Sequence, residues 1–335
     1  MRFGAGFWGP FPLRRYVEYA TLAERRGFDV AWIGDTQLIT PDLYSAMALC
    51  LNATSTILVG SGVTNSVTRD PTVTAGAALA LNEFSNGRCV LGVGVGGSAV
   101  HTVGLPEDRA SEFRQKLEAI KALVRGGTAR VNGVEARGKI AAPPVPVYVA
   151  SSSPLMLQLA GEMADGVILN VGVAPELVQE ALKHVERGAS RAGRDLSDLD
   201  IAVFAGSAID GESSRAIEET RSWAATTARR VAKWVSSGDA EMRSAGAAIL
   251  AQYDWSEHIT VGAAHARRVS DAMARNFVFA GTVDEVAQSI KRLEACGVTQ
   301  VIALPMGSRI EATLEAFGRE IIPAWRTPTL AGSPP

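Results

Sequence analysis

Cysteine and histidine are scarce in this chain, and their scarcity removes several kinds of protein at once. Three cysteines and four histidines are spread over 335 residues. Cys50, Cys89 and Cys296 are far apart and odd in number, and two of them sit in apolar runs. They read as buried reduced thiols, not as a disulfide framework. The histidines show no metal-ligand spacing, so no metal is expected. No stretch approaches the ~18 uninterrupted apolar residues of a membrane span. Met1-Arg2-Phe3-Gly4 opens straight into a strand pattern, without the basic and apolar regions of a signal peptide, so a soluble, cytoplasmic chain is expected. Neither charge sign dominates: the formal net charge is -2, which gives no bulk attraction for nucleic acid or an anionic membrane. A small-molecule substrate is the partner left. Hydrophobic residues make up 47% of the chain and charged ones 20%, enough to bury a large core.

Strand-like and helix-like patterns alternate almost from the first residue. Arg2 to Trp8, Asp29 to Gly34, Ile57 to Val63 and the run from Cys89 read as the first four strands. Val145 to Ala150, Asp165 to Asn170, Ile201 to Ile209 and Val298 to Pro305 read as four more. Helices fall between them: Leu13, Tyr16, Val17, Ala20 and Ala23 recur at helical spacing, and Pro71 opens a helix that runs to Phe84. Pro106-Glu107-Asp108 reads as an acidic first turn, and Thr282-Val-Asp-Glu285 as a capping box. Thr128 to Pro144 reads as a small hairpin turning at Asn132-Gly133. Eight such units predict an α/β fold, a (β/α)8 TIM barrel over residues 1–326 with its site at the C-terminal strand ends. A helical insertion over residues 213–276 carries Arg229, Arg230, Lys233, Arg267 and Arg268 toward the ligand face, and residues 327–335 read as a flexible tail.

The most informative stretch runs from Ile57 to Ala99. It holds two apolar runs that end in small residues, Gly60-Ser61-Gly62-Val63-Thr64-Asn65 and Gly92-Val-Gly94-Val-Gly96-Gly97-Ser98. Glycine after a buried strand lets backbone lie against a flat ligand. The second run is formally a dinucleotide-binding G-x-G-x-x-G, but that motif should open a helix at once, and Ser98 to Pro106 reads as a loop. A glycine-rich loop over a barrel mouth is the better reading.

At these strand ends the sequence resembles the luciferase-like barrel superfamily. Within it, the nearest resemblance is to the methylenetetrahydromethanopterin reductase branch, which uses the deazaflavin coenzyme F420. The matching pieces include Gly27-Phe-Asp-Val-Ala-Trp-Ile-Gly-Asp35, Gly62-Val-Thr-Asn65 with Arg69-Asp-Pro71, Leu91-Gly-Val-Gly94, Val145-Pro-Val-Tyr148 with Pro154, Ala164-Asp-Gly166 with Asn170, and Gly281-Thr-Val-Asp-Glu285. The resemblance implies a non-prolyl cis peptide at Gly62-Val63 that props the coenzyme's ring. Ser61, Gly62, Val63, Thr64 and Asn65 would bind it, as would Gly94, Val95, Gly96 and Asn170. Its phosphate would sit at Ser151, Ser152 and Ser153, where hydroxyls meet a helix N-terminus. A homodimer is implied as well. FMN is the alternative cofactor.

The sequence also departs from that pattern. Relatives often keep an acid after strand one, an Asp-His pair after strand two and a carboxylate after strand four; here these positions look like Gly6, Asp35-Thr36 and Gly97. The emptied positions are expected to enlarge the substrate pocket beside Gly6 and Gly97, with Phe7, Trp8 and Phe11 making its rim apolar. Asp35, Thr36, Tyr44 and His101 remain as candidates for proton transfer, and each also has a purely structural reading. The expected activity is F420-dependent hydride transfer to an activated C=N or C=C bond of a bulky, partly apolar substrate. An FMN-dependent monooxygenase and a non-catalytic deazaflavin-binding protein are the alternatives.

Overall fold

The structure is a computed structural model that describes residues 1–234, 240–253, 257 and 259–326. The first half runs β1 (Arg2–Phe7), α1 (Leu13–Arg25), β2 (Val30–Ile33), α2 (Leu43–Ala53), β3 (Leu58–Ser61), β4 (Thr64–Asn65), α3 (Pro71–Phe84), β5 (Cys89–Gly94), α4 (Ser98–His101) and α5 (Ala110–Val124). A hairpin of β6 (Thr128–Val131) and β7 (Val134–Arg137) follows, then β8 (Val147–Ser151), α6 (Pro154–Met163), β9 (Gly166–Leu169), α7 (Pro175–Arg191) and β10 (Asp200–Ile209). The last part holds α8 (Ser213–Val231), α9 (Ala240–Ala251), α10 (Asp271–Ala274), β11 (Phe279–Gly281), α11 (Val283–Ala295), β12 (Gln300–Pro305) and α12 (Ile310–Ala316).

Parallel pairing runs β10-β12-β1-β2-β3-β5-β8-β9, and β9 pairs back onto β10, closing an eight-stranded (β/α)8 barrel. Asp70 accepts from the Thr72 N–H at the start of α3, where Pro71 loses nothing by lacking its own. The β6–β7 hairpin turns at Asn132 and Gly133, both at positive φ, as a two-residue primed turn requires.

Three details differ from the sequence reading. Gly97 runs directly into the one-turn helix α4, where a loop was expected. Helix α5 starts at Ala110, because Glu112 reaches back to the Arg109 N–H; Asp108 instead accepts from Ser66 (2.5 Å) and Lys116 (2.8 Å). The short strand β11, not expected at all, pairs with Ser207–Ile209 of β10 where β9 has already ended. The described residues of the insertion hold α8, α9, α10 and turns, and the predicted tail lies outside the described residues.

The barrel interior is organised by one side chain. Trp32 is fully buried and pairs in register between Gly6 and Gly60. A Cβ at Gly4 or Gly60 would stand 2.8 Å from its indole, and one at Gly62 would stand 2.7 Å from its Cβ. Trp32 meets Tyr148 edge-on, with ring centroids 5.4 Å apart. Below them Tyr148 donates to Asp200 at 2.6 Å, and Arg2 pairs with the same carboxylate, which plugs the N-terminal end.

Outside the barrel, α6 and α7 cross at Gly161 and Gly188. A Cβ at Gly188 would lie 1.8 Å from the Gln158 carbonyl oxygen, which belongs to helix backbone and cannot rotate aside. Gly188→Ala should therefore separate the two helices and cost about 2 kcal/mol, as overpacking does. A urea midpoint equal to that of the parent would contradict this.

Candidate active site

A cavity of about 850 Å³ opens over the C-terminal strand ends. Its inner wall is nearly free of side chains, because each small residue there yields to a neighbour. The Gly62–Val63 peptide is cis. Gly62 rests on Trp32, and the Val63 methyls lie 2.8 and 3.3 Å from where a Cβ would stand at Gly92 and Gly94. Gly94, Val95, Gly96 and Gly97 continue the wall, and a Cβ at Gly97 would meet nothing within 4 Å.

The segment from Ser61 to Asn65 divides into two roles. Gly62 and Val63 line the cavity, whereas Ser61, Thr64 and Asn65 do not. The Ser61 hydroxyl donates to the Gly92 carbonyl (2.8 Å) and accepts from the Gly92 N–H (2.9 Å), stapling two strands. Thr64 donates to Asp35 (2.7 Å), and the Asn65 carbonyl oxygen accepts from the N–H groups of Val67 and Thr68. These three were expected along the coenzyme; the hydroxyls of Ser61 and Thr64 and the Asn65 carbonyl oxygen are engaged inside the protein, while Asn65 Nδ2 has no partner among the described residues.

Asp35 lines the cavity but is engaged by a cation. Arg69 meets it with both guanidinium nitrogens, at 2.5 and 3.3 Å. Burial opposes charge on Arg69, yet the hydrogen bonds and charge of Asp35 outweigh it and hold the guanidinium above its ordinary value. The same guanidinium lies 5.1 Å from the centre of the Tyr44 ring, and burial pushes the Tyr44 hydroxyl up, away from proton transfer. Tyr44 does not line the cavity. Thr36 does; it accepts from Trp8 Nε1 (2.9 Å) and lies 3.1 Å from Ser98 Oγ. His101 Nε2 stands 3.2 Å from Glu107 at the rim.

The expected pocket beside Gly6 is filled: a Cβ there would meet Phe204 at 3.0 Å and Leu304 at 3.4 Å. Phe7 points to the helix layer, as its alternation with inward Gly6 requires, and stacks on Tyr19 at 5.5 Å. Phe11 packs on Tyr16 and Tyr19. Of the four expected pocket residues only Trp8 and Gly97 reach the cavity. The sequence reading missed Ser98, Glu107, Phe204, Trp223 and Trp234, which line it. Phe204 had a signal, since β10 is buried on both faces and one face of any barrel strand points inward.

Two further groups face the same space. After β8, Ser151 accepts from the Ser153 N–H (3.1 Å), while the hydroxyls of Ser152 and Ser153 have no partner among the described residues. They sit at the N-terminus of α6, which suits a phosphate. The buried carbonyl oxygen of Asn170, also on the lining, lacks a donor among the described residues, so a ligand hydroxyl or N–H would satisfy it. From α8 come Arg229, which lies over the Tyr253 ring at 4.3 Å, and Arg230, whose guanidinium is lowered by burial and by Arg229; Lys233 follows. Arg267 and Arg268 do not reach the cavity. Among the described residues, no group of three or more His, Cys, Asp or Glu side chains is placed to hold a metal ion. No described helix is long and apolar enough to cross a membrane.

A closed ring of eight parallel strands with its cavity at the C-terminal strand ends defines a barrel whose site is built from its βα loops. The chain belongs to the luciferase-like monooxygenase family, whose model matches residues 4–300. It is 32% identical over 335 residues to a 5,10-methylenetetrahydromethanopterin reductase from Methanolobus tindarius, covering 96% of this chain and 100% of that one. It is also 32% identical over 235 residues to an F420-dependent glucose-6-phosphate dehydrogenase from Beutenbergia cavernae, covering 64% of this chain and 70% of that one. Among solved structures, a coenzyme F420-dependent tetrahydromethanopterin reductase from Methanopyrus kandleri matches with a TM-score of 0.79 at 28% identity, covering 96% of this chain and 99% of that one.

Proposed function

We infer that this chain is an oxidoreductase that uses coenzyme F420, and we propose that it reduces an activated C=N or C=C bond of a small-molecule substrate. The observation that carries the reading is the cavity wall. A surface almost without side chains runs from Gly62–Val63 to Gly97, beside the hydroxyls of Ser152 and Ser153 at a helix N-terminus. A flat ring with a phosphate-bearing tail fits that pair, and the unsatisfied Asn170 oxygen offers an acceptor for a tail hydroxyl. Relatives named as F420-dependent reductases and dehydrogenases support the choice of coenzyme.

When bound, the reduced coenzyme supplies a hydride, two electrons at a time. The chain's residues hold and orient. Gly62 and Val63 back the ring, Ser152 and Ser153 fix the phosphate, and Trp8, Phe204 and Trp223 give the substrate an apolar seat. Asp35 is engaged by Arg69 and Thr64, and the reading therefore assigns the proton to water.

Titrating the purified protein with oxidised and reduced F420 and with FMN tests this. F420 should bind at least about tenfold more tightly than FMN, a difference of about 1.4 kcal/mol. Binding of FMN alone, with NADH-driven oxygen uptake, would replace the reading with a flavin monooxygenase.

A further inference from the structure

Most of the polar groups that the cavity leaves unsatisfied are donors. The indole N–H of Trp8 donates to Thr36 Oγ1 at 2.9 Å, and an indole nitrogen cannot accept. The Thr36 hydroxyl proton has one acceptor in reach among the described residues, Ser98 Oγ at 3.1 Å. Either hydroxyl can donate in that bond; with Trp8 already filling one Thr36 lone pair, the arrangement from Trp8 to Thr36 to Ser98 gives each oxygen one bond to accept. The Ser98 hydroxyl proton then has no acceptor among the described residues, and Ser98 is half-buried on the cavity lining. The relay ends in an O–H offered to whatever occupies the cavity. The indole N–H of Trp223, a residue only 4% exposed, likewise lacks an acceptor among the described residues, and Arg230 and Lys233 add positive charge to the lining. Both lining carboxylates are engaged, Asp35 by Arg69 and Glu107 by His101.

We propose that the substrate reduced here is an α,β-unsaturated carbonyl compound whose oxygen is held by the Ser98 hydroxyl. The proposal rests on the F420 reading above. Hydride addition forms a C–H bond at the β-carbon and breaks the C=C π bond. The freed electron pair becomes an enolate with its charge on the oxygen, the coenzyme is oxidised by two electrons, and water protonates the α-carbon. A donor aimed at an oxygen that gains charge stabilises the transition state more than the ground state. A cationic iminium is the opposite case: it has no lone pair to accept from Ser98, and it would meet Arg230 and Lys233. Ser98 is thus a catalytic residue, with Thr36 and Trp8 as positioning residues that set its proton's direction.

The test has a part that needs no coenzyme. The protein alone is titrated with 4-nitrophenol, whose ionised form absorbs distinctly and mimics an enolate. The bound phenol should ionise at lower pH than in water; Ser98→Ala and Thr36→Val should remove most of that shift, and Thr36→Ser should keep it. The second part uses protein shown by absorbance to hold reduced F420, offered cyclic enones and cyclic iminium salts. Enones should turn over and iminium salts should not, and Ser98→Ala should lower kcat about 10²-fold with a smaller change in KM. Reduction of iminium salts with enones inert would overturn the proposal. So would a Ser98→Ala protein, folded by circular dichroism, that matches the parent within twofold in both parts. Failure to bind F420 would overturn the coenzyme reading instead, while the nitrophenol shift still decides whether Ser98 is an oxyanion donor.

Discussion

Gly92→Ala should lose both stability and coenzyme binding. The added Cβ would stand 2.3 Å from the Ser61 carbonyl oxygen, 2.8 Å from Val63 Cγ1 and 3.3 Å from Trp32 Cζ3. The nearest of these is backbone, so relief comes only by moving strand β3, and Ser61 is itself bonded twice to Gly92. Overpacking of this kind costs about 3 kcal/mol, the upper part of the usual range. The displaced segment is Ser61-Gly62-Val63, which forms the cavity wall. If the wall is the ring's seat, F420 binding should weaken about 100-fold, the equivalent of a loss near 3 kcal/mol. Urea denaturation and an F420 titration measure the two effects separately. A variant with the expected instability but unchanged F420 affinity would move the coenzyme off this wall.

Arg69→Ala should be the most destabilising single change among the charged residues of the site. The Asp35 side chain is 3% exposed and that of Arg69 16%, so solvent screens the pair poorly. Removing the cation strands a buried carboxylate, which typically costs about 3–5 kcal/mol. It also takes away the guanidinium that covers the Tyr44 ring. The double variant Asp35→Asn with Arg69→Met removes both charges and should recover most of the loss. Urea midpoints of the two proteins make the comparison, and a loss under about 1 kcal/mol for Arg69→Ala would class the pair with ordinary surface bridges.

Periodicity and punctuation carry most of the architecture. All eight barrel strands were legible because short apolar runs end in turn residues, and helix α3 could be bounded from Pro71 and Phe84 alone. What escaped were elements too short to show a period, α4 with four residues and β11 with three. The cavity lining was legible where it is made of backbone, as at Gly62–Val63 and the glycines after β5. The site was not legible where a side chain's partner lies far along the chain. Thr64 looked available to a ligand because nothing local shows that Asp35 claims its hydroxyl; the Asn65 carbonyl oxygen is instead claimed locally, by the N–H groups of Val67 and Thr68 in a turn. Gly6 looked like vacated space because Phe204, about 200 residues onward, gives no local sign that it fills it.

Trp32 gives several of these glycines a common history. Gly4, Gly60 and Gly62 are each held to hydrogen by the same indole or its stem, so none of them can acquire a methyl while Trp32 is in place. A smaller residue at 32 would lift the prohibitions at Gly4 and Gly60 together, at the expense of an internal void, while Gly62, which meets the Cβ of residue 32, would stay barred. The order of substitution therefore decides viability: alanine at Gly60 before a change at Trp32 is a dead end, and after it a repair. A library built one position at a time would score every one of these sites as intolerant and miss the alternative core, which is reachable only by changing the tryptophan and its glycines in concert.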